Sequence, residues 1–420
     1  MRIAIIGGGV SGLAAATFLA PAHDVVLFEA APLVGGHANT VRLELADESH
    51  DVDTGFIVHN RRNYPVFCGL LDHWGVATQE SEMSFSVSCA RTGLEYAGTN
   101  LSGLFAQRAN ATRPEFWRLL RDIVRFGREG RGVLAAEAGP GAGEGDTTIG
   151  EFLSAGRFSP VFVERYLVPL GSAIWSADPG TFERFPLRAL LHFLDNHGLL
   201  TLVDRPTWRT VVGGSRRYVD AAVRDGGFAV RRATPVHKVR REHDGVELVT
   251  DAGPEAFDAV VLAVHSDQAL SMLADPTTAE REVLGAVAYQ RNVAVLHTDE
   301  RVLPASRRAW AAWNYHRPLD DRGLPTVTYL MNQLQRLDSR HQICVTLNRE
   351  DEIRPELVHG RFVYDHPVFD SAAFAAQRRW PEVNGVRRTW YCGAWWGYGF
   401  HEDGAASAWR VAEALGGRRP

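Results

Sequence analysis

The chain has 420 residues, 45% of them hydrophobic and 23% charged, with a formal net charge of −5. That length exceeds one simple core and predicts two interleaved domains, while the charge balance gives no basis for a nucleic-acid partner. Four scattered cysteines (Cys68, Cys89, Cys344 and Cys392) without CxxC spacing exclude a disulfide framework or zinc site and suit a reducing cytoplasm.

The first element is a short apolar run, "RIAIIG", suited to a buried parallel strand. It enters a glycine loop at once, which would break the apolar core of a signal peptide. No apolar run approaches the roughly 20 residues needed to cross a bilayer. Gly7, Gly9 and Gly12 form GxGxxG, with Ser11 inside the loop, and "LAAATFLA" reads as the following helix. Gly7 permits a tight turn, Gly9 lets backbone approach a pyrophosphate, and Gly12 lets helix and strand pack closely. A second strand, "DVVLFEA", ends at Glu29, placed to accept hydrogen bonds from an adenosine ribose. A lone GxGxxG is weak; strand, loop, helix, strand and terminal acid in order are a specific dinucleotide signal. A second glycine pair, Gly35-Gly36, then precedes His37.

From Ile3 to about Thr40 the chain resembles the flavoprotein group that includes amine oxidases and carotenoid desaturases. The resemblance implies FAD, with the Gly35-Gly36 turn lying along its diphosphate and ribityl chain. His37 stands where that group usually has Arg, so backbone N–H groups are expected to carry more of the phosphate neutralisation. "VVGGSRRY", Val211 to Tyr218, offers only a glycine pair, so a separate nicotinamide site is not expected.

"HDVDTGFIVHNRRNYPVF" starts as an alternating strand and turns at Gly55. The resemblance implies that it passes the flavin ring, which makes Phe56 and Ile57 pocket candidates. His59 is a candidate proton-transfer group, weighed equally against a place in the core. "RPEFWRLLRDIVRFGREG" carries Phe116, Leu119, Leu120, Ile123 and Val124 as one helical stripe, with Arg118, Arg121, Arg125 and Arg128 on other faces. Those arginines are expected to face water, with a peripheral membrane contact as the alternative. Ala135 to Asp146 reads as a surface loop, and Thr148 with Glu151 as a capping box. Residues 62–204 therefore read as mostly helical. From Phe228 the pattern changes to strands ending near His265, and the resemblance implies that the backbone of Val236 meets adenine. "VAYQRNVAVLHTD" and "PTVTYLMNQLQ" read as strands of a substrate wall, with Trp310, Trp313 and Tyr315 suited to line it.

The C-terminal block "YCGAWWGYGFHEDG", with "DTGFIVHN", "NYPVF", "SEMSFSVS" and "LHTD", is similar over nearly the full length to a bacterial family of FAD-binding oxidoreductases within that superfamily. This implies an α/β fold: a Rossmann-like FAD domain (1–61, 205–265, 385–420) interleaved with an α+β substrate domain (62–204, 266–384). Gly393 would pass the flavin diphosphate. The N–H groups of Gly404 and Ala405 would face the flavin ring, with Asp403 at the start of their helix. Trp395, Trp396 and Tyr398 would face substrate, and His401 and Glu402 would be the nearest proton-transfer groups. No metal is expected. Family members commonly occur beside lipid methyltransferases of the cyclopropane-fatty-acid-synthase type. That implies oxidation or desaturation of a long unsaturated or methyl-branched acyl chain, furan fatty acids included, with oxygen or a membrane acceptor taking the electrons.

The sequence contains one lysine, Lys238, in an adenine-side strand. Flavin amine oxidases usually carry a lysine that holds water against the flavin. The comparable stretch here has Arg291 and Asn292 instead, which disfavours amine oxidation. Trp395, Trp396 and Tyr398 could still build an aromatic cage, so an amine or amino-acid oxidase, or a double-bond isomerase, remains the alternative. Cys392 is read as a small buried residue and the FAD as noncovalently held.

Overall fold

The computed structural model describes residues 1–137, 147–175, 182–201, 205–319 and 326–420. The expected surface loop from Ala135 to Asp146 lies outside the described residues from 138 onward, as does the expected domain boundary at 204.

Five short strands form one fully parallel sheet in the order Ala229–Arg231, Asp24–Phe28, Arg2–Ile6, Ala259–Leu262, Thr389–Tyr391. Their continuous burial explains the unbroken apolar runs: Ile3, Ile5, Leu27, Val260, Val261 and Leu262 are all fully buried. The helix Val10–Leu19 packs on one face and is buried along its whole length. The last helix, His401–Ala414, packs against it. Strand order reverses beside Arg2–Ile6, so the loops after that strand and after Ala259–Leu262 splay apart at the carboxyl edge and open a crevice.

A seven-stranded sheet stands opposite, in the order Val358–Val368, Ala288–His297, Cys344–Leu347, Thr326–Leu330, Trp313–Arg317, Phe85–Cys89, Leu94–Ala97. All its pairings are antiparallel except Trp313–Arg317 with Phe85–Cys89. Three strands therefore interrupt the segment expected to be mostly helical: Thr78–Glu80 and the two that join this sheet. Their short polar alternation carries little sequence signal. Of the three expected wall aromatics, only Trp313 faces the crevice. Trp310 packs beside Leu303, Leu330 and Cys344, and Tyr315 is buried in the main core.

Helix Pro114–Glu137 buries Phe116, Leu119 and Phe126, but Val124 is 60% exposed, against the expected stripe. The capping box at Thr148 is present: its hydroxyl accepts from the Glu151 N–H while the Glu151 carboxylate accepts from the Thr148 N–H.

One buried ion pair ties the parallel sheet to its flanking elements. Arg241 and Glu280 have no exposed side-chain surface and lie 2.5 Å apart. Tyr391, on the sheet's edge strand, donates to the same Glu280 oxygen at 2.6 Å. Arg241 also reaches the partly exposed Asp275 at 3.0 Å. Removing Glu280 strands a buried guanidinium, so Glu280→Ala should lower stability by about 3–5 kcal/mol. Asp275→Ala, at the wetter end, should cost about 1 kcal/mol or less. Urea denaturation of the two variants beside the parent chain checks the contrast.

Candidate functional site

Between the two sheets runs a cavity of about 720 Å³. At one end it is lined by Gly7, Gly8, Gly9 and Ser11, by Glu29, and by Thr234, Pro235 and Val236. At the other end the lining is apolar: Ile57, Ile174, Trp175, Trp313, Tyr329 and Leu347 among others. Among the described residues, no Arg or Lys lines it.

The glycine-loop end is built from close backbone approach. Gly7 has φ +104° and donates to the Phe28 carbonyl at 2.8 Å, and a Cβ there would meet the Ala263 oxygen at 2.6 Å. A Cβ on Gly12 would overlap the Gly7 carbonyl oxygen, so helix and loop touch as the motif requires. Gly9 is different: a Cβ there would meet nothing within 4 Å and would project into the cavity. The Gly35-Gly36 turn docks on this loop. Gly35 donates to the Gly8 carbonyl at 2.9 Å, and a Cβ on Gly36 would lie 3.3 Å from the Gly9 Cα.

This end fits a dinucleotide on three observations. The helix starting at Val10 has no side-chain cap and no acid in its first turn, so its leading N–H groups and dipole face the cavity. The space in front of Gly9 is empty of protein. The Glu29 carboxylate accepts from the Gly8 and Ala31 N–H groups, each at 2.8 Å, which fixes it while lone pairs remain for ribose hydroxyls. His37 lines the cavity as a neutral ring. Burial, then the neighbouring His366 and His265, push its pKa down to about 3. With no Arg or Lys in the described lining, a diphosphate held here would be neutralised by backbone dipoles.

The remaining expected site residues divide into two groups. Phe56, Ile57, Gly393, Trp395, Tyr398 and His401 join those above in lining the cavity. His59, Trp396, Glu402, Asp403, Gly404 and Ala405 do not. His59 is 1% exposed and packs among Phe56, Tyr64 and Phe67, on the core side of its strand. Trp396 tilts against Trp395 at 4.2 Å, behind it as seen from the cavity. Glu402 points away: its two oxygens accept the N–H groups of Val66 and Phe67, capping helix Pro65–His73. Asp403 accepts the Phe400 N–H at 2.9 Å. Gly404 donates to the Phe400 carbonyl, and a Cβ there would press on Ser11 and Val10, so it is a packing glycine between two helices. The Gly404 N–H expected to face a flavin ring is thus already used within the helix. Cys392 is fully buried, 3.9 Å from the Ser11 carbonyl, its thiol pushed well up by burial.

His401 is stacked on Phe56, with ring centres 3.3 Å apart, and its Nε2 shares a 2.8 Å hydrogen bond with the buried Tyr218 hydroxyl. Burial, then the neighbouring His37 and His59, hold its pKa well below the usual histidine value. Sequence reasoning missed His265, Tyr289, Tyr364 and His366, all of which line the cavity. Tyr364 and His366 stand two apart on strand Val358–Val368 and so share a face. That alternation was the available signal.

Residues 10–350 match the family of flavin containing amine oxidoreductases, and the chain belongs to that family. Its fold is that of several solved enzymes. One is a CLA-producing fatty acid isomerase from P. acnes, with 18% identity, TM-score 0.70, and 99% of this chain and 98% of that one covered. Another is putrescine oxidase bound to putrescine, at 16% identity and TM-score 0.70, with 99% of each chain covered. A third is cyclohexylamine oxidase from Brevibacterium oxydans IH-35A, at 17% identity and TM-score 0.66, again with 99% of each covered. The protein is therefore an FAD-dependent oxidoreductase, with an amine-oxidase-like α/β fold. No helix among the described residues is long and apolar enough to cross a membrane.

Two glycine substitutions separate cofactor space from packing. Gly9→Val should fold, with an apoprotein melting temperature close to the parent's, yet purify without flavin absorbance. Gly12→Val should fail to fold, because its side chain overlaps the Gly7 carbonyl. A second prediction concerns Asp403, whose pKa burial raises to about 7. A raised acid stabilises the fold below its unfolded pKa, near 4, and loses that contribution as pH rises through about 7. Asp403→Asn imitates the protonated form. Its stability relative to the parent should therefore rise between pH 4 and pH 8, as melting curves across that range would record.

Proposed function

We propose that this flavoenzyme oxidises or desaturates a long unsaturated or methyl-branched acyl chain. The observation that carries the reading is the long cavity whose far end is apolar and whose described lining holds no Lys or Arg. An acyl chain has no charge to pair and gains by leaving water, at about 0.8 kcal/mol per buried CH₂. The chain's resemblance to oxidoreductases found beside lipid methyltransferases supports the same substrate class. One protein with this fold is itself a fatty acid isomerase.

In this reading Glu29 and Val236 hold the adenosine end of FAD, and the Gly7–Gly12 loop with the start of helix Val10–Leu19 holds the diphosphate. Gly393 and the Gly35-Gly36 turn flank it. When bound, the flavin supplies a two-electron acceptor for hydride. Ile57, Ile174, Trp175, Trp313, Tyr329 and Leu347 align the acyl chain and exclude water. Trp395 is fixed by donating its indole N–H to the Val264 carbonyl at 3.1 Å, and Tyr398 packs against Phe193 and Phe374. His401, whose Nε2 shares a hydrogen bond with the buried Tyr218 hydroxyl, is the neutral ring placed to exchange a proton with the substrate. Asp403, Gly404 and Ala405 act indirectly, by setting the helix that carries His401.

The cytoplasmic face of a membrane is the proposed source of substrate. Leu101, Trp117 and Val124 are more than half exposed, and the last two lie on the arginine-bearing helix Pro114–Glu137, a pattern suited to a peripheral contact. Amine oxidation is the second reading, favoured by the chain's membership of the flavin containing amine oxidoreductases and by a fold shared with putrescine oxidase.

Anaerobic mixing decides between them. Methyl-branched monounsaturated lipid should bleach the flavin absorbance of the holoenzyme. Bleaching by amines and by none of a panel of such lipids would overturn the proposal.

A further inference from the structure

The wall of the cavity contains a histidine whose tautomer the fold dictates. Strand Ala288–His297 pairs with Val358–Val368, which sets Gln290 opposite His366 and Asn292 two residues along. Asn292 is fully buried. Its amide Nδ2 lies 2.9 Å from His366 Nδ1 and 3.1 Å from the Gln290 carbonyl. Its Oδ1 lies 2.7 Å from Asn348 Nδ2.

Two backbone groups fix the direction of every bond in this chain. The Val293 N–H can only donate, and it donates to Asn348 Oδ1 at 3.0 Å. The other end of the Asn348 amide is therefore its NH₂ group, which donates to Asn292 Oδ1. The Gln290 carbonyl can only accept, which again makes Asn292 Nδ2 the group beside His366. An amide NH₂ needs a lone pair on His366 Nδ1, and so the ring proton sits on Nε2. Asn348 adopts φ +56° to make this clamp, a left-handed conformation that costs a residue with a side chain energy. Asparagine tolerates it best among such residues.

His366 is half-buried, lines the cavity, and stands with its ring 5.7 Å from that of His37 and 6.5 Å from that of Tyr364. Among the described residues its only hydrogen bond is the one at Nδ1. Burial, then the nearby His265, keep the ring neutral at ordinary pH. The clamp thus spends two side chains and one strained backbone position on presenting a single N–H.

We propose that His366 is a positioning residue whose Nε2–H, locked by Asn292 and Asn348, donates to an acceptor atom bound in the cavity. Such an acceptor is a lone pair on nitrogen or oxygen, and two candidate occupants of the cavity carry one: FAD, on its ring edge, and a fatty acid, on its carboxyl group. The second source rests on the acyl-chain reading above; the first does not.

The holoprotein labelled with ¹⁵N-histidine tests the lock by NMR. The resonances lost in His366→Gln should be those of an Nε2–H ring. Asn292→Asp, which replaces a donor by an acceptor, should move the proton to Nδ1. Two binding measurements then identify the acceptor. His366→Leu should shift the absorbance of bound flavin in the ligand-free holoprotein, or weaken oleate binding about tenfold, the loss of one good hydrogen bond. His366→Gln, which keeps an N–H at similar reach, should restore whichever is lost. If His366→Leu does not fold, Asn292→Asp carries the same two measurements. An Nδ1–H ring in the parent protein, or unchanged flavin absorbance together with unchanged oleate affinity in the variants, would overturn the proposal. Failure of the parent itself to bind oleate would count against the acyl-chain reading and leave the flavin measurement to decide.

Discussion

Everything at the glycine-loop end of the cavity depends on the contact between Gly12 and the Gly7 carbonyl. That approach, too close for any side chain, sets helix Val10–Leu19 directly beyond its strand, with bare N–H groups facing the crevice. The other pieces are fitted to it. Gly35 bonds to Gly8, Gly36 rests on Gly9, and Gly404 seats the last helix against Ser11. A site with no arginine or lysine in its described lining can hold a diphosphate only if this backbone cradle is rigid. The neutral His37, standing where related flavoproteins place a cation, shows how far the chain relies on it.

The second constraint is register. One pairing, Ala288–His297 with Val358–Val368, brings Asn292 beside His366 and carries Tyr364 to within 3.0 Å of Asn39 and 2.8 Å of Thr54. A slip by one residue would turn His366 and Tyr364 out of the cavity. The wall built by the seven-stranded sheet is therefore specified by sheet pairing, whereas the glycine-loop end of the cavity is specified by glycine.

This difference explains what was legible in the sequence. Strand, glycine loop and Glu29 are local features with fixed spacing, and each lies where the motif puts it. Gly393, Trp395 and Tyr398, expected from the resemblance, line the cavity. The errors fall where local pattern is silent about direction. Glu402 sits next to His401 in the chain, but a helix turns neighbours about 100° apart, and Glu402 caps another helix instead. His59 alternates with the cavity-lining Val58 and faces the core. His265 and His366 are 101 positions apart, and nothing in one predicts the other; only the fold brings both to one cavity.

The most direct test of the account is mass spectrometry of a methyl-branched, monounsaturated phospholipid incubated with the holoenzyme and oxygen. The account predicts a product lighter by two hydrogens, formed in proportion to enzyme and absent with the flavin-free Gly9→Val variant. An unchanged lipid, with peroxide and aldehyde formed from an amine panel under the same conditions, would contradict it.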